Sequence, residues 1–261
     1  MLNSEAWVNL SDKDIRALEQ TDEILLSKIL GCDANTSNVF KYLELGVQPV
    51  RYEIMKRNIL FLHYLLQQDK NSMIFKVLQA TRENPVHSDF VLTCEKYLKQ
   101  LNINITFEQL GVMSTWSVKK LVKEKTSTAA FKYLLEIKNK QTKISHIQYD
   151  DLEIQSYLLD GNRNIEESRV IYKARSLTLN IKTQKSWKYK DDLCVGCGVK
   201  SETVEEFLSC MGYSEQDTLS QPNPVDYNLV FDGELRDRTI VAKELIRRLK
   251  LRDKILDEET P

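Results

Sequence analysis

The sequence predicts an all-α protein: a multi-helix bundle, then a small three-cysteine module of zinc-knuckle type, then a terminal helix. Eight glycines and five prolines among 261 residues leave room for long helices joined by short loops. Apolar residues recur at helical spacing, and alternating Val/Ile/Thr runs are few. Hydrophobic residues make up 42% and charged residues 29% of the chain, the balance of an ordinary globular protein. No apolar run approaches the ~20 residues needed to cross a bilayer. Asn3, Ser4 and Glu5 give neither the basic nor the apolar region of a secretory signal, so a cytoplasmic or nuclear protein with no membrane partner is expected.

Ser11 and Asp14 are spaced as a capping box, with Ile15, Leu18, Leu25, Leu26 and Ile29 as the apolar face and Gly31 as a left-handed stop. A second helix runs from Ser37 to Leu45 and ends at Gly46, and Pro49 suits the first turn of the third. From Val50 to Leu66 the chain is apolar on most sides, the mark of a helix central to a bundle, and His63 within it reads as a buried, hydrogen-bonded residue. Ser72 to Leu78 and Ser88 to Leu101 follow, separated by a turn at Asn84-Pro85. Thr115 to Lys138 forms a long helix and Gln141 to Gln148 a polar loop. Leu152, Leu158 and Leu159 mark a short helix stopped at Gly161-Asn162, with Asp150 as its N-cap. Glu166 to Leu177 is helical, the pattern breaks after Leu179 and again at Gln221-Pro222-Asn223-Pro224, and Arg236 to Glu258 forms an amphipathic helix carrying Ile240, Leu245, Leu249 and Ile255. These breaks divide the chain into a bundle at 1–179, a connector with the cysteine module at 180–220, and the last helix at 221–261.

Five cysteines, an odd number without a secretion signal, argue against a disulfide framework. Cys32 and Cys94 lie inside apolar patterns and read as small core residues. Cys194-x-x-Cys197 can grip a metal ion from a tight turn, and Cys210 can close the site from a short helix. Three thiolates leave a tetrahedral ion one ligand short. The opposing expectation is a decayed knuckle whose cysteines only pack.

A net charge of −1 predicts no nucleic-acid partner by itself, so the distribution of charge matters more. From Arg169 to Lys190 the chain carries Arg169, Lys173, Arg175, Lys182, Lys185, Lys188 and Lys190 without an acid, interleaved with Tyr172, Trp187 and Tyr189. Cations neutralise phosphates and aromatic faces stack on unpaired bases, so this stretch is expected to bind single-stranded RNA or DNA, with Lys182, Lys185, Trp187, Lys188 and Tyr189 on one exposed face. A second basic segment holds Lys119, Lys120, Lys123, Lys125, Lys132, Lys138, Lys140 and Lys143 against Glu124 and Glu136.

No catalytic residue is expected. There is no glycine-rich phosphate loop and no Ser/His/Asp or Cys/His set. Tyr149-Asp150-Asp151 lacks the apolar flanking strands and the spacing with which a polymerase holds two metal ions.

Asn3-Ser4-Glu5-Ala6-Trp7, the run Leu18, Asp22, Leu25, Leu26 and Leu30, the stretch Glu44 to Arg57, and the cysteine cluster with Glu202 to Cys210 together resemble the thumb and tail of non-LTR retrotransposon reverse transcriptases. That resemblance implies a nucleic-acid-binding C-terminal fragment lacking the catalytic palm, which a separate palm-containing chain would complete. In such tails the cluster commonly reads C-x-x-C … E-H-x-x-x-C. Glu206 stands at the histidine's position, which implies a zinc site of Cys194, Cys197, Glu206 and Cys210, with Glu205 as the alternative carboxylate. The rival reading is a helical protein–protein scaffold with no nucleic-acid role.

Overall fold

The computed structural model describes residues 10–32, 36–84, 90–159, 164–186, 188–213 and 226–258. They are mostly helical: α1 (Asp12–Leu30), α2 (Asn38–Leu45), α3 (Val50–Leu66), α4 (Met73–Glu83), α5 (Phe90–Gln100), α6 (Phe107–Val112), α7 (Thr115–Lys138), α8 (Ser156–Leu159), α9 (Ile165–Arg175), α10 (Val204–Ser209), α11 (Leu229–Asp232) and α12 (Leu235–Glu258). Extended pairing among the described residues is limited to isolated bridges, Leu45 with Ile154 and Leu193 with Ser201. The all-α expectation is met. The chain forms two compact units: residues 1–25, 46–137 and 149–153, and residues 26–45, 138–148 and 154–261.

In the first unit, the Ser11 side chain accepts from the Asp14 backbone N–H at 3.2 Å while the Asp14 carboxylate accepts from the Ser11 backbone N–H at 3.0 Å, closing the expected capping box. Arg51 on α3 grips Glu19 on α1 through two hydrogen bonds of 2.7 and 2.8 Å. The core gathers Ile59 and Leu62 of α3, Leu78 of α4, Val91, Cys94 and Leu98 of α5, Phe107 and Leu110 of α6, and Val118 and Val122 of α7. His63 is buried with Nε2 3.1 Å from the Met113 carbonyl, as its setting in an apolar helix suggests. Helix α6 was not expected from the sequence. Its signal is the capping box of Thr106 and Gln109, in which each side chain takes the other's backbone N–H. Asp150 is an exposed bend residue and α8 begins only at Ser156, so Asp150 is not that helix's N-cap.

The second unit takes the last turn of α1, where Leu26 and Leu30 are buried and Ile29 is exposed; Leu25, which precedes them, is exposed as well. The apolar face of that helix is therefore narrower than its sequence suggests. Gly31 has φ +61°, and a Cβ there would sit 2.4 Å from Arg169 Nε, so the helix stop doubles as a seat for Arg169. Cys32 is half-buried. Helix α9 packs chiefly on α12, whose buried face runs Val241, Ala242, Leu245, Arg248 and Arg252. Of the face expected from the sequence, Leu245 is buried and Leu249 and Ile255 are half-buried, but Ile240 is exposed and Val241 takes its place in the core.

A buried charged cluster organises this unit. The guanidinium of Arg175 meets the Glu44 carboxylate at 2.9 Å, with both side chains essentially inaccessible, and its Nη1 donates to the carbonyls of Val230 at 3.1 Å and Phe231 at 3.2 Å. The Tyr157 hydroxyl donates to the same carboxylate. Lys138 ends α7 with its ammonium donating to the Ser145 carbonyl at 2.9 Å and the Ile147 carbonyl at 2.5 Å, and burial holds its pKa below the usual lysine value. Lys138 is thus a loop anchor and not a member of a solvated basic face. Removing one partner of a fully buried pair strands the other charge, so Arg175→Met is expected to destabilise this unit by about 3–5 kcal/mol in urea unfolding. The double variant Glu44→Leu/Arg175→Met should recover part of that loss.

Candidate metal centre

The cysteine module begins as a backbone clamp. The Leu193–Ser201 bridge closes a short hairpin, the Cys194 N–H donates to the Lys200 carbonyl at 2.6 Å, and the Gly198 N–H donates to the Cys194 carbonyl at 2.7 Å. Gly198 takes φ +66°, a turn conformation most side chains disfavour. Thr203 then caps α10 by accepting from the Glu206 N–H at 3.1 Å, and Cys210 closes the helix with its N–H on the Glu206 carbonyl at 2.7 Å. Cap and helix place Glu206 and Cys210 one turn apart on the side that faces the Cys194/Cys197 turn.

As a result, one ligand atom from each of Cys194, Cys197, Glu206 and Cys210 lies within 4.8 Å of all the others, close enough to hold a single metal ion. A tetrahedral ion with ~2.3 Å metal–sulfur bonds spaces its sulfurs ~3.8 Å apart, so ligation asks for a contraction of at most about 1 Å. Glu206, and not Glu205, is the carboxylate of this cluster: Glu206 Oε1 lies 3.8 Å from Cys197 Sγ, and Glu205 is outside the group. Lys200 pairs with the other Glu206 oxygen at 3.1 Å, but its side chain is exposed and such a pair is cheaply given up. Backbone N–H groups of Lys200 and Val199 lower the Cys197 thiol pKa, whereas burial pushes Cys210 up to about 12.

Two glycines set how closely the halves approach. A Cβ on Gly212 would lie 2.1 Å from the Gly196 carbonyl oxygen, and one on Gly196 would lie 3.1 Å from the Tyr213 ring and 3.2 Å from Cys210 Sγ. Tyr213 stacks edge-on to Phe207 with centroids 4.9 Å apart and sets its hydroxyl 3.7 Å from Cys194 Sγ. That hydroxyl donates to Glu202 at 2.8 Å. Arg252 of α12 reaches the same carboxylate with bonds of 2.9 and 3.0 Å, and Arg248 donates to the carbonyls of Phe207 and Cys210, each at 2.8 Å. The terminal helix therefore belongs to the site's support. Sequence reasoning missed Glu202, Tyr213, Arg248 and Arg252 in this role. The available signal was the spacing Val241, Leu245, Arg248, Arg252, which puts two arginines in register with an apolar stripe.

The basic stretch does not form the single exposed face expected of it. Arg175 is buried in its ion pair with Glu44, and Lys185 is 9% exposed, so neither presents a cation to solvent. Tyr189 is half-buried under two cations, Arg252 at 5.2 Å and Lys188 at 5.4 Å from its ring centroid. Lys182 is pinned to Asp191 at 2.7 Å. Lys188 and Lys190 are exposed, Arg169 and Lys173 are half-exposed, and Trp187 and His87 lie outside the described residues. His146 is exposed, edge-on to Phe231 at 5.2 Å.

The backbone approach at Gly212 makes a specific prediction. Gly212→Ala should separate the two halves and weaken metal binding roughly 10–100-fold, the size of effect seen when groups behind the ligands are disturbed. Competition between the protein and a chromogenic chelator for Co²⁺ measures it.

No family model matches this chain, and neither a curated protein nor a solved structure is significantly similar to it, so what it does has to be argued from the chemistry of this site and its surroundings.

Proposed function

We propose that the chain is a non-enzymatic nucleic-acid-binding protein, as the thumb and tail of a non-LTR retrotransposon reverse transcriptase would be, with a zinc ion fixing its cysteine module. The observation that carries the reading is the four-ligand cluster of Cys194, Cys197, Glu206 and Cys210 adjoining a loop with exposed Lys188 and Lys190. Three thiolates select a soft ion such as zinc over magnesium or calcium. Four protein ligands fill a tetrahedral shell and leave no position for water or substrate, which favours a structural role over a catalytic one. The partner is single-stranded RNA or DNA, with a separate palm-containing chain as the source of any polymerase activity, in the cytoplasm or nucleus.

A second reading, a helical scaffold for other proteins, gains from the exposed apolar strip Met73, Ile74 and Val77 on α4 and from the cations that Arg175, Lys185 and Lys138 withdraw from the surface. Fluorescence anisotropy with labelled single-stranded RNA and DNA over a salt series separates the two. Binding through phosphates weakens with salt, and Lys188→Gln/Lys190→Gln should lower the slope by roughly 1.4. No binding at low salt would leave the scaffold standing.

Elemental analysis should give one zinc per chain, lost in Cys210→Ser and retained in Glu206→His. Because the raised Cys210 pKa keeps that thiol protonated in the metal-free module at neutral pH, zinc must displace its proton. Retention is therefore expected to improve as pH rises and to fail on acidification, readable as zinc release to a chelator dye.

A further inference from the structure

The first turns of α7, in the first unit, carry a feature that the cysteine module does not explain. Trp116 is 71% exposed, although an indole is among the side chains that most stabilise a core or an interface when covered. Its position is not slack packing. Val118 and Val122 of the same helix are buried in the unit's core, so the helix orientation is fixed and Trp116 is held away from that core.

Lys119, Lys120 and Lys123 follow at three, four and seven residues, which sets them on Trp116's side of the helix. All three are exposed, and among the described residues none is in an ion pair, whereas Lys182, Lys200 and Arg82 elsewhere are matched by acids. The Lys120 ammonium lies 5.3 Å from the indole centroid. Glu124 is the one acid in the next turn. Cations without counter-ions beside an open aromatic face are complementary to a chain of phosphates with unpaired bases. A lipid surface fits less well, because a helix that lies on a membrane needs a row of apolar residues to insert, and here one indole stands among three lysines.

We infer that Trp116, Lys119, Lys120 and Lys123 form a second contact for single-stranded nucleic acid, on a different unit from Lys188 and Lys190: one base stacks on Trp116 and the three ammonium groups engage phosphates beside it. This inference rests on the nucleic-acid reading above, and the test keeps the two apart.

The probe is a fluorescein-labelled oligouridylate, titrated with the full chain over a salt series. Trp116→Ala should weaken binding about tenfold with an unchanged salt slope, since stacking carries no counterion release, and Trp116→Phe should keep most of the affinity. Lys119→Gln/Lys120→Gln/Lys123→Gln should lower the slope by about two. These side chains are exposed, so the variants are expected to keep the parent's circular dichroism and unfolding midpoint. If the tryptophan and lysine variants bind as the parent does while Lys188→Gln/Lys190→Gln is weakened, the second contact is wrong and the nucleic-acid reading stands. If the parent binds no oligouridylate, or binds only phosphatidylserine vesicles through Trp116, both are wrong.

Discussion

The Glu202 carboxylate, fully buried, is the point on which the cysteine module turns. It accepts from the Lys182 N–H at 2.7 Å, the Tyr213 hydroxyl at 2.8 Å and the Arg252 guanidinium at 2.9 and 3.0 Å, while its own N–H holds the Asp192 carbonyl at 2.6 Å. A carboxylate removed from water is tolerable only when its oxygens are matched in this way. The matching joins the basic connector, the turn after Cys210 and the terminal helix through one group. Burial without an adequate hydrophobic core is a common difficulty for so small a module. Here two arginines from α12 take on part of that task through Glu202 and the carbonyls of Phe207 and Cys210.

The same logic recurs at Glu44, whose partners Arg175 and Tyr157 come from different helices of the same unit. The Glu44 cluster takes Arg175, which a linear reading assigns to a nucleic-acid surface, and uses it inside the fold, while the Glu202 cluster draws Arg252 inward from the terminal helix. Fewer cations are open to an anionic partner than the sequence count implies; among the described residues, Lys188 and Lys190 on the connector and the lysines beside Trp116 are exposed and in no ion pair. Balanced net charge and local cationic patches are thus compatible, because many of the charges cancel in buried or surface pairs.

Much of this architecture follows from local sequence. Gly31 and Gly46 stop their helices with φ +61°, and the bounds of α3 and α7 coincide with the apolar runs that announce them. Spacing likewise sufficed for the three cysteines, because a two-residue gap puts Cys194 and Cys197 on one turn and a short capped helix returns Cys210 to it; Glu206 came only from the resemblance, and the turn of helix between it and Cys210 is what sets it in the cluster in place of Glu205. Where local rules failed, as at Asp150, the residue had a suitable type but no helix start beside it.

By itself, then, the sequence determined most of the helices and the closeness of Cys194, Cys197 and Cys210, since both arise from interactions between residues near one another along the chain. Which charges are spent inside was decided only by tertiary structure. Arg175 reaches Glu44 across 131 residues, Arg252 reaches Glu202 across 50, and no periodicity encodes such pairings. The exposure of Trp116 has the same origin: a tryptophan in a helix looks like core until its neighbours' burial fixes the helix rotation and turns it toward solvent.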